Sequence, residues 1–228
     1  MKFFLQDDIS EQVDRIIRSL NKIMDGDVSE QMEGKGLSYK LNYGASILWL
    51  RQMAKKYAPN NRLAERLWSR EIRETMVLAT LIAEFKEDFL VTMEDWMNSI
   101  PTPEIAEQLG ANLVWKHPDL YTFAINNINS NSRNKQAVIW VALSAYLQKG
   151  FKMEEEQYGE LLVLLEKTIN DNNKFDLRVK GRFLRQLCRV SRMQMGNVEG
   201  LMDKFKGNDS VSWLREDVLT EIAFLKDS

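Results

Sequence analysis

Five arginines, Arg178, Arg182, Arg185, Arg189 and Arg192, recur at spacings of four, three, four and three residues. On an α-helix turning about 100° per residue they share one stripe. Val179, Phe183, Leu187 and Val190 fall on the opposite side, so a helix over 175–193 can dock on a core and aim the guanidinium groups outward. Asp176 is the nearest acid, and none lies within the stripe. Cations without interspersed carboxylates repel one another, so the row is poorly suited to mere solubility and well suited to a line of phosphates. The alternative is a solvated face, or arginines paired with Asp and Glu from a neighbouring helix.

Other chemistries lack their parts. His117 is the only histidine and Cys188 the only cysteine, which leaves neither a zinc ligand set nor a histidine-assisted nucleophile. His117 precedes Pro118 in a predicted loop and reads as structural or solvent-exposed. Gly34-Lys35-Gly36 lacks the Ser or Thr that a phosphate-cradling loop requires, which argues against nucleotide-dependent enzymes. No cofactor and no metal are expected. Lys35 and Lys40, in the loop from Gly34 to Tyr43, could approach a phosphate backbone, although a flexible connection explains them equally well.

The elements that must carry these residues read as helices throughout. Apolar residues recur at helical spacing over 9–24, 47–57, 63–85 with a break near Ser69, 93–99, 103–115, 120–129, 134–149, 154–170, 175–193, 198–205 and 211–225, with Gly and Pro between many of them. About eleven short helices in successive pairs of roughly 35 to 45 residues predict an all-α fold, a curved solenoid of HEAT-like or armadillo-like repeats, an α-α superhelix. An irregular helical bundle is the competing architecture. Residues 1–228 are expected to form one domain.

Hydrophobic residues make up 44% of the 228, enough for a substantial core, and the formal net charge of −2 argues against indiscriminate affinity for nucleic acid. The most apolar run, 137–147, is far too short to span a bilayer, and the N-terminus has no secretory pattern. The expectation is a soluble, cytoplasmic monomer. Trp49, Trp68, Trp96, Trp115, Trp140 and Trp213 lie in or beside apolar stretches and read as core. Trp115, beside Lys116 and a loop, is the candidate exception.

Tyr43-Gly44, Leu50-Arg51, Leu67-Trp68, and Ile72-Arg73-Glu74 leading into Leu78-Ala79 resemble the AlkD-like DNA alkylation repair family, HEAT-like repeat alkylpurine DNA glycosylases. The likeness extends more loosely to about residue 190 through Met93-Glu94-Asp95-Trp96, the 137–147 helix and the 181–186 segment. It implies a C-shaped solenoid whose concave basic surface holds duplex DNA, alkylated or distorted. It also implies excision of cationic N3- or N7-alkylpurines by a carboxylate that stabilises positive charge on the sugar, with aromatic walls against the deoxyribose.

Where that family carries a Trp-Asp-x-x-Asp motif, this chain reads Pro103-Glu104-Ile105-Ala106-Glu107. Glu107 is thus the candidate catalytic residue, one methylene longer than the aspartate it replaces; a favourable interaction with its helix dipole explains it as well. The family's second groove tryptophan falls at Arg182, and its arginine pair at Lys135 and Gln136. The nucleic-acid-binding set is therefore Arg178, Arg182, Arg185, Arg189, Arg192 and Lys135. Three functions stand open: a DNA glycosylase with an altered site, a DNA-binding relative that has lost base excision, and a non-catalytic scaffold for a protein partner.

Overall fold

The computed structural model describes residues 8–34, 39–169 and 173–227. Among them are thirteen α-helices: α1 Asp8–Asn21, α2 Gly26–Gly34, α3 Ile47–Ala54, α4 Asn61–Trp68, α5 Arg73–Ile82, α6 Leu90–Asn98, α7 Pro103–Asn112, α8 Leu120–Asn127, α9 Arg133–Gln148, α10 Glu155–Thr168, α11 Lys174–Cys188, α12 Arg192–Lys204 and α13 Ser212–Asp227. The described residues form no strand, and one isolated parallel bridge joins Leu41 to Ile72. None of the helices is long and apolar enough to cross a membrane. Lys35 lies outside the described residues.

Most predicted helices are present, with three differences. Polar α2 has no buried residue and therefore no apolar period to betray it; Asp25 holds its first turn by accepting from the Val28 amide at 3.1 Å. The predicted break near Ser69 is a full stop, with Ser69 closing α4 and Glu71 in the left-handed region at φ 55° before α5 begins. The helix predicted over 175–193 ends at Cys188, and Arg192 opens the next one.

The chain divides into two compact units, Met1–Leu113 and Val114–Ser228. In the first, α5 is buried on nearly every side and packs against α3, α4 and α7. Its first two residues are charged. Arg73 is 1% exposed and Glu74 is fully buried, so each must find partners or carry a large desolvation cost. Arg73 Nη1 donates to Glu74 at 2.8 Å and to the Ala45 carbonyl at 2.7 Å. Its Nε and Nη2 form a fork onto Glu104 at the start of α7, at 2.9 and 2.6 Å. Glu74 accepts from the amides of Tyr43 and Ala45 at 3.0 and 3.2 Å. Between those two amides, Gly44 sits at φ 73°, and a Cβ there would lie 2.3 Å from the Asp25 carbonyl oxygen, so only glycine fits.

Tyr39 completes the network. Its hydroxyl donates to Glu104 at 2.6 Å and accepts from the Thr102 hydroxyl at 2.8 Å. Thr102 caps α7. Burial opposes the charge on Glu104, but hydrogen bonds and charge from Arg73, with the Tyr39 hydroxyl, outweigh it and hold the carboxyl below its ordinary pKa. Burial and the bond to Glu104 push the Tyr39 phenol well above its usual value.

In the second unit α9 plays the part of α5. Residues 137–143 are buried without a gap, α8 and α11 pack on this helix, and α12 and α13 pack on α11. The most apolar run of the sequence is therefore a central helix, surrounded by protein on all sides.

The depressed Glu104 pKa fixes the sign of a pH effect. The stability it contributes is complete above the unfolded Glu value of about 4.3 and is lost as pH falls through the lower folded value. Replacing Glu104 by Gln leaves Arg73 half-satisfied and is expected to cost about 3 kcal/mol at neutral pH. The gap between the two unfolding midpoints should narrow as pH is lowered below the unfolded Glu value; a gap that keeps its neutral-pH size down to full protonation of the carboxylates would refute the account.

Candidate nucleic-acid interface

Asn173 caps α11 by accepting from the amides of Phe175 and Asp176 at 3.0 and 3.1 Å. Val179, Phe183 and Leu187 are buried, as the pattern predicts, and turn the arginines toward the outer side. Arg178 is exposed, its guanidinium 5.6 Å from the Phe175 ring centre. Arg182 is half-buried and donates to Gln148 at the end of α9 at 3.2 Å. Arg189 closes the helix and Arg192 begins α12, so the five arginines span a helix end rather than one continuous face.

Helix α13 changes the meaning of the row. Arg185 pairs with Asp217, and Arg189 reaches Glu221 at 2.6 Å. The two acids are four residues apart, matching the four between the arginines, so two facing helices present charges in register. Burial lowers the Arg185 pKa, against the pull of Glu221, and Arg182 and Arg189 lower it further. α13 is also seated by packing, since Leu214, Val218 and Ile222 are buried. Gly181 makes room for it, for a Cβ at 181 would meet the Leu214 side chain at 2.7 Å. The absence of carboxylates near the stripe in sequence is thus corrected in space, and the matched i, i+4 spacing of Asp217 and Glu221 was the available signal.

Glu107 and Lys135 are both half-buried, the former one turn beyond Glu104 on α7, the latter in the first turn of α9, where its amide donates to Ser132. Pro103 occupies the first position of α7, behind the Thr102 cap. Gln136 donates to the Ser130 carbonyl at 2.6 Å. His117 is structural, its Nδ1 accepting from the Asp119 amide at 3.1 Å and its ring stacked on Phe123. Burial pushes the Cys188 thiol up to about 12. Among the described residues no group of His, Cys, Asp and Glu is arranged to hold a metal ion.

Trp68, Trp96 and Trp140 are buried, and the first two stack face to face at 4.4 Å. Trp213 is 51% exposed on α13, a correction to its expected place in the core. Trp115 is half-exposed and joins Tyr146 and Phe151 in an aromatic cluster. Tyr39, Trp68, Met76 and Pro101 line a cavity of about 430 Å³, with the ion-paired Lys40 and Glu71 among its walls.

A model of the DNA alkylation repair enzyme family matches residues 16–195, and the chain belongs to that family. α13 lies beyond the matched region. A solved structure described as a new family of proteins related to the HEAT-like repeat DNA glycosylases, with affinity for branched DNA structures, superposes with a TM-score of 0.74. It is 14% identical, and the match covers 91% of this chain and 94% of the other. The fold is therefore the HEAT-like helical repeat. No curated protein matches the chain in sequence.

The seating of α13 on Gly181 is testable directly. Gly181→Leu should drive Leu214 out of its place and destabilise the protein by about 1–3 kcal/mol in urea unfolding. An unchanged midpoint would mean that α13 is not held against α11.

Proposed function

We propose that the chain is a DNA-binding member of the DNA alkylation repair family that holds duplex or branched DNA without excising bases. The observation that carries this reading is the fate of the motif carboxylate. Glu104, at the first acid position of the family's Trp-Asp-x-x-Asp pattern, is spent on a two-point bond to buried Arg73. The aromatic position before it holds Pro103, fixed as the first residue of α7. One wall and one acid of the excision motif have become parts of a helix start. Glu107 keeps a charge at the second acid position but adds a methylene, and a displacement of about 1 Å can cost on the order of a hundredfold in rate.

Affinity would come from the row on α11 and α12. Arg178, Arg182 and Arg192 face outward with Lys135 as a further candidate, while Arg185 and Arg189 meet carboxylates on α13. The last two are partly exposed pairs, worth about 0–1 kcal/mol each, and while they hold they leave three arginines for phosphates. The described affinity of the structural relative for branched DNA agrees with this reading.

Three arginines on phosphates give a logarithmic salt slope of about −2.7, or roughly fortyfold weaker binding between 50 and 200 mM salt. Asp217→Asn with Glu221→Gln should release the other two and steepen the slope toward about −4.5. Arg178→Ala with Arg182→Ala should flatten it by about two. A flat response in the wild type would point instead to a protein-binding scaffold. In the same reactions, methylated duplex should yield no free N7-methylguanine; catalytic release abolished by Glu107→Gln would make the chain a glycosylase and refute the proposal.

A further inference from the structure

Helix α9 ends in a turn that holds aromatic rings at the surface. The amide of Gly150, at φ 86°, donates to the Leu147 carbonyl at 2.9 Å, and that of Phe151 donates to the Tyr146 carbonyl at 3.3 Å. This is the Schellman pattern, which brings the side chain after the glycine onto the last helical turn. Phe151 accordingly stacks on Tyr146 with centroids 5.0 Å apart and an interplanar angle of 27°. The motif accounts for those two rings. It does not require the third: Trp115, from the turn before α8, lies 6.0 Å from Phe151 and carries the Lys149 ammonium 5.6 Å from its ring centre. Phe151 remains 49% exposed, and Trp115 and Tyr146 are half-exposed.

The charge around these rings is positive. Lys116, Lys149 and Lys152 are exposed and adjoin the three aromatics. The acids that follow are turned to other work: Glu154 caps α10, Glu155 accepts from Gln194 at 2.5 Å, and Glu156 lines a separate groove with Ile125 and Val163. Gln148, the residue before Lys149, accepts from Arg182, so one arginine of the row reaches the end of the helix that carries Tyr146.

Exposed ring faces amid lysines suit a nucleotide, whose base stacks while its phosphates meet the cations. A paired base inside a duplex offers no free face, whereas an unpaired base at a branch point or gap does. We infer that Trp115, Tyr146 and Phe151, with Lys149, form a stacking site for an unpaired nucleobase of DNA held on the neighbouring arginines. The inference rests on the DNA-binding reading above and adds to it the element that separates branched from plain duplex DNA.

The test compares a plain duplex with a three-way DNA junction carrying one unpaired 2-aminopurine at its branch point. With the wild-type protein the junction should bind more tightly and its 2-aminopurine fluorescence should fall as the base stacks. Phe151→Leu keeps the apolar contact with Tyr146 while removing a ring, and is expected to leave the unfolding midpoint and duplex affinity unchanged. It should lose about tenfold in junction affinity, within the range for one stacked base, together with the quenching. Trp115→Leu should act alike, and Lys149→Gln should flatten the junction salt slope by about one. Equal junction preference and equal quenching in the wild type and both ring variants, with duplex binding intact, would overturn this site alone. Failure of the wild type to bind either DNA at low salt would overturn the DNA-binding reading and this site with it.

Discussion

A guanidinium with 1% exposure governs the first unit. Arg73 cannot be left without partners, since breaking a buried ion pair typically costs about 3–5 kcal/mol. The partners it has come from three separate stretches: the segment before α3 through the Ala45 carbonyl, its own helix through Glu74, and α7 through Glu104. Satisfying one side chain therefore fixes where two other helices begin. Glu74 extends the same demand to the Tyr43 and Ala45 amides, and that close approach in turn leaves no room for a Cβ at Gly44. The residues that carried the family likeness, Tyr43-Gly44 and Ile72-Arg73-Glu74, are thus one interlocked set. Their presence marks the architecture, and chemistry has to be argued from other positions.

The second unit is organised by apolar burial, with its charges gathered on α11 and α13. Lys180, 1% exposed, donates to Asp176 and to the Thr168 carbonyl, an internal brace within the core. The outer pairs of Arg185 with Asp217 and Arg189 with Glu221 are of another kind, being partly solvated and weak. A carboxylate held there keeps the neighbouring cations from repelling one another. The same packing that seats α13 thus brings its acids to the arginines of α11 and its C-terminal cap.

What could be read from the sequence follows from what is local. Helices with an apolar period were legible, and so was the burial of Val179, Phe183 and Leu187, which sets the phase of α11. α2 was not, since it buries nothing. The arginine row was extended too far because spacing alone carries no information about a helix end: Arg189 still falls in phase, but the Ser191 side chain accepts from the Gln194 amide and starts a new helix. The pairing with α13, left open as an alternative in the sequence, could not be decided there for a different reason. It joins residues 32 positions apart, and such a contact follows from packing at Gly181 and Leu214, not from any periodicity.

The carboxylate at the start of α7 has a structural task. A glutamate at 104 is long enough to meet both the Nε and the Nη2 of Arg73 while its second oxygen also accepts from Tyr39. Once so bound, it is held ionised by its partners, with three of its roughly four acceptor sites in use. Proline at 103 fits the same arrangement, because the first position of a helix needs no amide donor and favours a fixed φ. Pro103 and Glu104 therefore point the same way, toward a firm start for α7.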